Sequence, residues 1–260
     1  MGERSEYAPG TFSWVDLSTT DQKAAKAFYE ALFGWQAQDM PMGQDGGVYS
    51  IMQLGGRSVA AIVSQPEQQR EAGVPPLWSS YVTVESADEA AQRAADLGAT
   101  VHAPAFDVFD AGRMAVIQDP QGAYVMVWEP RGNIGAGLVN EPGALVWNEL
   151  QSPDPDASVS FYGEWLGWSV AEFPGMEQRY LGIKVGERSN GGITVQNQPG
   201  VPPFWLVYFG IEDIDAGIAK VQELGGAKLA GPIDIQMAKL AIVTDPQGAV
   251  FALYAGELEP

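Results

Sequence analysis

Apolar and polar residues alternate over 11–17 (Thr-Phe-Ser-Trp-Val-Asp-Leu), the period of a strand with one buried face. Ser18-Thr-Thr-Asp21 follows and offers helix N-caps. The period then changes. Ala24, Ala27, Phe28, Ala31 and Leu32 recur at helical spacing, predicting a helix over 22–33 closed by Gly34. Strands are predicted at 36–40, 48–54 and 58–64, separated by Gly-rich turns. A loop rich in Gln, Glu and Pro occupies 65–76. The same β-α-β-β-β order then recurs: strand 77–84, helix 87–97, strands 100–106, 114–117 and 124–128.

The whole pattern is repeated. Asp119-Pro-Gln-Gly-Ala123 returns as Asp245-Pro-Gln-Gly-Ala249, an offset of 126 residues, each copy flanked by apolar runs as in a hairpin. Gly73-Val-Pro-Pro-Leu-Trp78 returns as Gly200-Val-Pro-Pro-Phe-Trp205. A repeat this long marks a duplicated domain rather than a solenoid. In the second half, strands are predicted at 144–150, 180–185 and 192–196 and helices at 156–166 and 213–224. The reading is a polar lead-in over 1–10, one domain over 11–128, a linker over 129–142 with three Gly and two Pro, and a second domain over 143–256.

Composition narrows the partners. The chain has 260 residues, 14 basic and 33 acidic, for a net charge of −19, which disfavours nucleic acid and anionic membranes. There are no cysteines, so disulfides, thiolate nucleophiles and Cys-ligated metals are excluded. The N-terminal residues are polar, with no apolar core of a signal peptide, and no apolar run approaches a membrane span. The expectation is a cytoplasmic protein, monomer or homodimer. No Gly-x-Ser-x-Gly elbow, phosphate loop or dinucleotide fingerprint is present.

Taken together, Ala27-Phe-Tyr29 with Leu32-Phe-Gly-Trp35, Ser160-Phe-Tyr162 with Trp165-Leu-Gly-Trp168, the two Asp-Pro-Gln-Gly turns and the helix ends Asp96-Leu-Gly98 and Glu223-Leu-Gly225 resemble the vicinal oxygen chelate superfamily. That superfamily holds glyoxalase I, the bleomycin- and fosfomycin-resistance proteins and the extradiol dioxygenases. More narrowly, the chain resembles tandem glyoxalase-like proteins of actinobacteria, a group that includes a mycobacterial culture-filtrate antigen. The resemblance implies an α+β fold of two tandem domains, four βαβββ modules in all, each pair curling its sheet into a cup. In the superfamily's metal enzymes, His, Gln or Glu project into the cup from facing strands. Here those positions carry Trp14 and Trp147, Ser79 and Leu206, Met126 and Ala252, and the neighbourhoods of Ala61 and Thr194. The chain has one histidine, His102. The expectation is no metal and no cofactor.

What would line the cups is aromatic. Side chains alternate along a strand, so Trp14 shares a face with Asp16, and Trp147 with Glu149. Trp78 and Trp205 begin matched strands, Trp128 and Tyr254 end matched strands, and Arg113 and Lys239 stand six residues before the two turn aspartates. These eight residues are the candidate ligand contacts, for a flat or aromatic small molecule. Asp16 and Glu149 are the candidate acid/base groups if the protein is an enzyme. Three functions are consistent with this reading. The first is metal-independent binding of the bleomycin-resistance type. The second is a metal-independent lyase, isomerase or cyclase of secondary metabolism. The third is a metal-dependent glyoxalase or dioxygenase. Core filling by the same Trp residues is the structural alternative.

Overall fold

The computed structural model describes residues 2–43, 47–173, 178–196, 198–235 and 237–258. The first half opens with β1 (Phe12–Thr19), α1 (Gln22–Phe33), β2 (Gln36–Met42), β3 (Gly47–Leu54) and β4 (Arg57–Ser64). A short helix, α2 (Glu67–Glu71), lies in the segment expected to be loop. Then come β5 (Leu77–Thr83), α3 (Ala87–Asp96), β6 (Thr100–Val108), β7 (Gly112–Gln118) and β8 (Tyr124–Pro130). The second half repeats the order with β9 (Leu145–Ser152), α4 (Pro155–Leu166), β10 (Ser169–Glu172), β11 (Tyr180–Val185) and β12 (Arg188–Val195). It ends with β13 (Phe204–Gly210), α5 (Ile214–Glu223), β14 (Ala227–Asp234), β15 (Ala238–Thr244) and β16 (Val250–Gly256).

Cap chemistry sets the helix limits identically in both halves. Asp21 accepts from the Ala24 amide and Asp154 from the Ala157 amide, satisfying donors that the first turn leaves unpaired. Gly34 and Gly167 end α1 and α4 in the left-handed conformation, at φ 74° and 73°.

The two sheets have eight strands each, ordered β2-β3-β4-β1-β5-β8-β7-β6 and β10-β11-β12-β9-β13-β16-β15-β14. Modules therefore pair within a half. The seam is the antiparallel contact of β1 with β5, where Trp14 faces Tyr81 and Asp16 faces Ser79. In the second half β9 meets β13, with Trp147 opposite Tyr208 and Glu149 opposite Leu206.

The halves share their core. Tyr29, Phe33 and Trp35 pack with Phe209 and Phe251 of the second half, and Phe12 packs with Trp168 and Trp205. Contacts are reciprocal. The Trp35 indole donates to the Gly143 carbonyl, and the Trp168 indole to the Gly10 carbonyl. The segment after β8 is packed rather than loose: the Ala136 and Gly137 amides donate to the Ser13 and Ser58 carbonyls.

The Asp-Pro-Gln-Gly turns serve this interface. Asp119 Oδ1 accepts the amides of Gln121, Gly122 and Ala123 at 2.8–2.9 Å, a nest closed by Gly122 at φ 108°. Its Oδ2 accepts the Tyr162 hydroxyl of the other half at 2.8 Å. The mirror contact, Tyr29 hydroxyl to Asp245 Oδ2, spans 3.3 Å.

Candidate functional site

Each cup holds the same four-part cluster. In the first, the Tyr81 hydroxyl donates to Asp16 Oδ2 at 2.7 Å and the Tyr49 hydroxyl to the same oxygen at 3.1 Å. The Trp14 indole N–H donates to the Tyr49 oxygen at 2.9 Å. Ser79 is a further donor to Asp16. In the second cup, Tyr180 and Tyr208 donate to Glu149, the Gln151 amide bonds Glu149 Oε1, and the Trp147 indole donates to the Tyr180 oxygen at 2.7 Å. Strand pairing explains the convergence. β1 supplies Trp and acid two residues apart on one face, β5 supplies one Tyr across the seam, and β3 the other from two strands away.

Burial pushes the Asp16 carboxyl above its ordinary 3.8, and the three hydroxyl donors oppose that rise by favouring the anion. Glu149 is raised from 4.5 for the same reason, against its donors Tyr180, Tyr208 and Gln151. Tyr49, Tyr81, Tyr180 and Tyr208 are all held well above 10.0, first by burial and then by the neighbouring carboxylate, so each remains a neutral donor.

The clusters are close-packed but not sealed. On the cup face Trp14, Asp16, Ser79, Tyr81 and Trp128 keep 5–8% exposure, whereas Val15, Leu17, Ser80 and Val82 on the opposite face keep none. A cavity of about 500 Å³ opens on the same face of the first sheet, bounded by Gln38, Met40, Ile51, Arg57, Asp110 and Asn133 and not by Trp14, Asp16, Tyr49 or Tyr81. Ile51 pairs with Ala61, and Ala61 with Asp16, so one residue of the cavity shares the carboxylate's row across the sheet. Next to it, Phe109 is exposed at φ 48°, an uncommon conformation for a bulky residue.

The other candidates divide between the two faces. Trp128 lies on the cup face, its indole donating to the Asn133 carbonyl at 2.8 Å. Tyr254 lies near Tyr180 in the second cup, where it adds to the upward shift of that phenol. Trp78 and Trp205 stand on the opposite face. Their indoles donate to Tyr29 and Tyr162, the tyrosines that bond the turn aspartates of the other half, so they belong to the shared core. Arg113 also points away from the cup, where it binds Asp88 of α3 and Asp107 of β6. Lys239 occupies the matching site, beside Asp215 and Asp234 in a second cavity of about 500 Å³ on the helix side. Strand alternation decides these outcomes, because Arg113 and Trp78 are each one residue out of phase with the cup face.

Sequence reasoning missed the four tyrosines. Tyr81 and Tyr208 stand at matched places behind the repeated Gly-Val-Pro-Pro, and that repeat was the signal that could have found them. Tyr49 and Tyr180 carried a weaker one, since their strands differ in the preceding loops.

The superfamily that the sequence resembles includes metal enzymes, so the donor set matters. Among the described residues no group of three or more His, Cys, Asp or Glu is arranged so that it could hold a metal ion. The cup-facing register of the first half carries Trp14, Asp16, Ala61, Ser79, Tyr81 and Met126, one carboxylate among neutral groups. His102 is on β6, bonded to Gln118 and Tyr124. These residues do not fit a transition metal held by imidazoles and carboxylates. No helix among the described residues is long and apolar enough to cross a membrane.

The fold is shared with solved structures of low identity. The Mn(II)-bound glyoxalase from Novosphingobium aromaticivorans superposes with a TM-score of 0.65 at 17% identity, covering 96% of this chain and 83% of that one. The 2,3-dioxygenase LapB from Pseudomonas sp. KL28 gives 0.65 at 14% identity, covering 98% and 95%. Sequence relatives are nearer. "Putative glyoxylase CFP32" of Mycobacterium bovis is 45% identical over 255 residues, 97% of each chain. "Anthracycline biosynthesis protein DnrV" of Streptomyces peucetius is 31% identical, over 96% of this chain and 94% of that one. The family model described as Glyoxalase/Bleomycin resistance protein/Dioxygenase superfamily matches residues 11–127 and again 144–253, and the chain belongs to that superfamily as a tandem, two-domain member.

Proposed function

We propose that this protein is a metal-independent binder of a flat, aromatic small molecule, taken up in the cups. The observation that carries the reading is the cluster of Trp, carboxylate and two Tyr, repeated once in each sheet. Indole and phenol faces stack on planar ligands, at about 0.5–1.5 kcal/mol per ring pair beyond area burial. The cavity on the same face of the first sheet favours that cup as the principal site. The 31% identity to a protein named for anthracycline biosynthesis supports a planar, polycyclic ligand.

A second reading is favoured by the raised carboxyl groups. An acid whose carboxyl burial raises, set beside phenols, can donate to or accept from a carbonyl or enol, as a lyase, isomerase or cyclase requires. Asp16 and Glu149 are then the catalytic residues. Full turnover by an Asp16→Asn, Glu149→Gln double variant would remove them from that role.

The first experiment is calorimetric titration with a hydroxylated anthraquinone, alongside elemental analysis of the purified protein before any chelator is added. Saturable binding, weakened about tenfold or more by Trp14→Phe with Tyr81→Phe, is the expected result. Stoichiometric Ni, Zn, Mn or Fe would overturn metal independence. Absence of binding and of any rise in melting temperature across planar aromatics would overturn the binding role.

A further inference from the structure

The cavity of the first half is built in part by the connector between the halves. The Arg131 and Asn133 amides donate to the Ala111 carbonyl and the Gly132 amide to the Asp110 carbonyl, which ties the connector to the β6–β7 turn. The Gly137 amide donates to the Ser58 carbonyl, which ties it to β4. The cavity takes its walls from these attachments and from β2 and β3, at a volume within the range of about 300–1,000 Å³ usual for small-ligand sites. The repeat does not preserve this lining. Ala171 pairs with Gly182 where Gln38 pairs with Ile51, and Lys184 stands in place of Gln53.

Hydrogen-bond bookkeeping shows what the lining leaves open. Gln53 Nε2 donates to Gln38 Oε1 at 2.8 Å, so Gln38 keeps its amide donor and Gln53 its amide oxygen. Asn133 is held at three atoms: its amide by Ala111, its carbonyl by the Trp128 indole and its Oδ1 by the Gly135 amide. Its Nδ2 donor remains, in a fixed position. Arg57 gives one nitrogen to Glu3 at 3.0 Å. Among the described residues no hydrogen bond or ion pair uses the Asp110 carboxylate or Asn133 Nδ2. Donors and acceptors are therefore mixed. An anion could use only the donors, and an ammonium only the acceptors. A hydroxyl gives one proton and has two lone pairs, so it can use both. Charge selects no ion either, since Arg57 and Asp110 have opposite signs and the net charge of −19 disfavours an anion. Met40 and Ile51 supply an apolar part of the wall.

The rim adds an aromatic ring. The Ala111 amide donates to the Val108 carbonyl across a turn, and within that turn Phe109 takes φ 48°, a conformation usually left to Gly, Asn or Asp. Its ring is 68% exposed, one residue from Asp110. Neither turn formation nor core packing accounts for a bulky ring held there. The face of such a ring carries the negative end of its quadrupole and suits the C–H face of a saturated ring.

We infer that this cavity binds a neutral, polyhydroxylated ring of the carbohydrate or cyclitol class. Its hydroxyls meet the Gln38, Gln53, Arg57, Asp110 and Asn133 groups, and its C–H face meets Met40 and Ile51. This adds a polar subsite to the first cup, and its test does not depend on an aromatic ligand being found.

The test is NMR titration of the isotope-labelled full-length protein. The probes are the methyl glycosides of glucose, galactose and mannose, maltose and myo-inositol, with cyclohexanol as the control ring. At least one probe is expected to saturate with Kd of about 1 mM or tighter, moving the amides of Arg57, Gly132, Asn133 and Gly137, and cyclohexanol to bind about tenfold or more weakly. Asp110→Ala and Asn133→Asp are each expected to weaken the probe about tenfold, and Phe109→Ala about threefold. Asn133→Asp keeps the oxygen that holds Gly135 and removes the free donor. Melting curves check that the variants are folded, and Gln38→Ala, on the exposed edge strand, replaces any that is not. Four results overturn the inference: no saturable shift with any probe, shifts centred elsewhere, cyclohexanol binding as tightly, or affinity unchanged in both polar variants. If the anthraquinone binds and no probe does, this inference alone falls. If a probe binds and no planar aromatic does, the aromatic reading alone falls.

Discussion

In the first cup an aspartate, Asp16, reaches Tyr49 and Tyr81; in the second a glutamate, one methylene longer, reaches Tyr180 and Tyr208. The longer acid comes with a different third donor, Gln151 in place of Ser79, and with a changed floor. Where the first cup has Ile51 and Ala61, the second has Gly182 and Gly192, paired in the same register. A Cβ at Gly192 would overlap the Tyr180 hydroxyl, and one at Gly182 the Phe173 ring. Phe173 and Tyr180 stack edge-on at 5.8 Å over this bare backbone. The second cup thus fills with its own aromatic rings space that the first cup builds with aliphatic side chains at its floor. The chemistry of the cluster is retained while its volume is redistributed. Acid length, tyrosine placement and floor size vary as one set.

The comparison extends to the interface, and there its failure should cost most. Asp119→Ala would strand the Tyr162 hydroxyl and the Gln121 and Ala123 amides, with an expected loss of about 2–4 kcal/mol in urea unfolding. Asp245→Ala should cost less, because its tyrosine bond is the longer one, 3.3 Å against 2.8 Å. A larger loss at Asp245 would show that the two latches are not ranked by that bond.

Within the cups the floors can be exchanged. Gly192→Ala is expected to push Tyr180 off Glu149 and cost about 1–3 kcal/mol, as overpacking does. The reverse change in the other cup, Ala61→Gly, adds space and should cost only about 0.5–1 kcal/mol, from backbone entropy. Equal costs would mean that the glycines are not there to admit the ring.

The smallest effect concerns pH. Both cup acids have folded values raised above 3.8 and 4.5. The folded protein therefore keeps protons that the unfolded chain has lost, and the stability this confers is complete below those ordinary values and disappears as pH rises through the folded ones. The Asp16→Asn, Glu149→Gln variant has no cup acid to titrate and lacks this dependence. As pH rises above those ordinary values of 3.8 and 4.5, the wild type should lose more melting temperature than that variant. Parallel curves would place the titration elsewhere, for instance at Asp119 and Asp245, which are raised in the same direction.

Much of this molecule follows from local chemistry. Strand and helix periods, the Asp21 and Asp154 caps, the closing glycines and the repeat are properties of neighbouring residues, so they can be read from the chain, and with them the tandem α+β fold and the cup positions of Trp14 and Asp16. The helix α2 escaped notice because one turn leaves no periodic signal. Three matters were decided only by tertiary structure. Modules pair within a half because β1 meets β5 at long range. The turn aspartates, which look like hairpin residues, latch the halves together because the tyrosines that bond them lie in the other domain. The cup acids gain their tyrosine partners from strands 33 and 65 residues away in the first half. Spacing along a chain encodes which face a side chain takes, but the meeting of facing strands depends on how the sheet curls and which edges pair, and that is settled by the burial of the whole core.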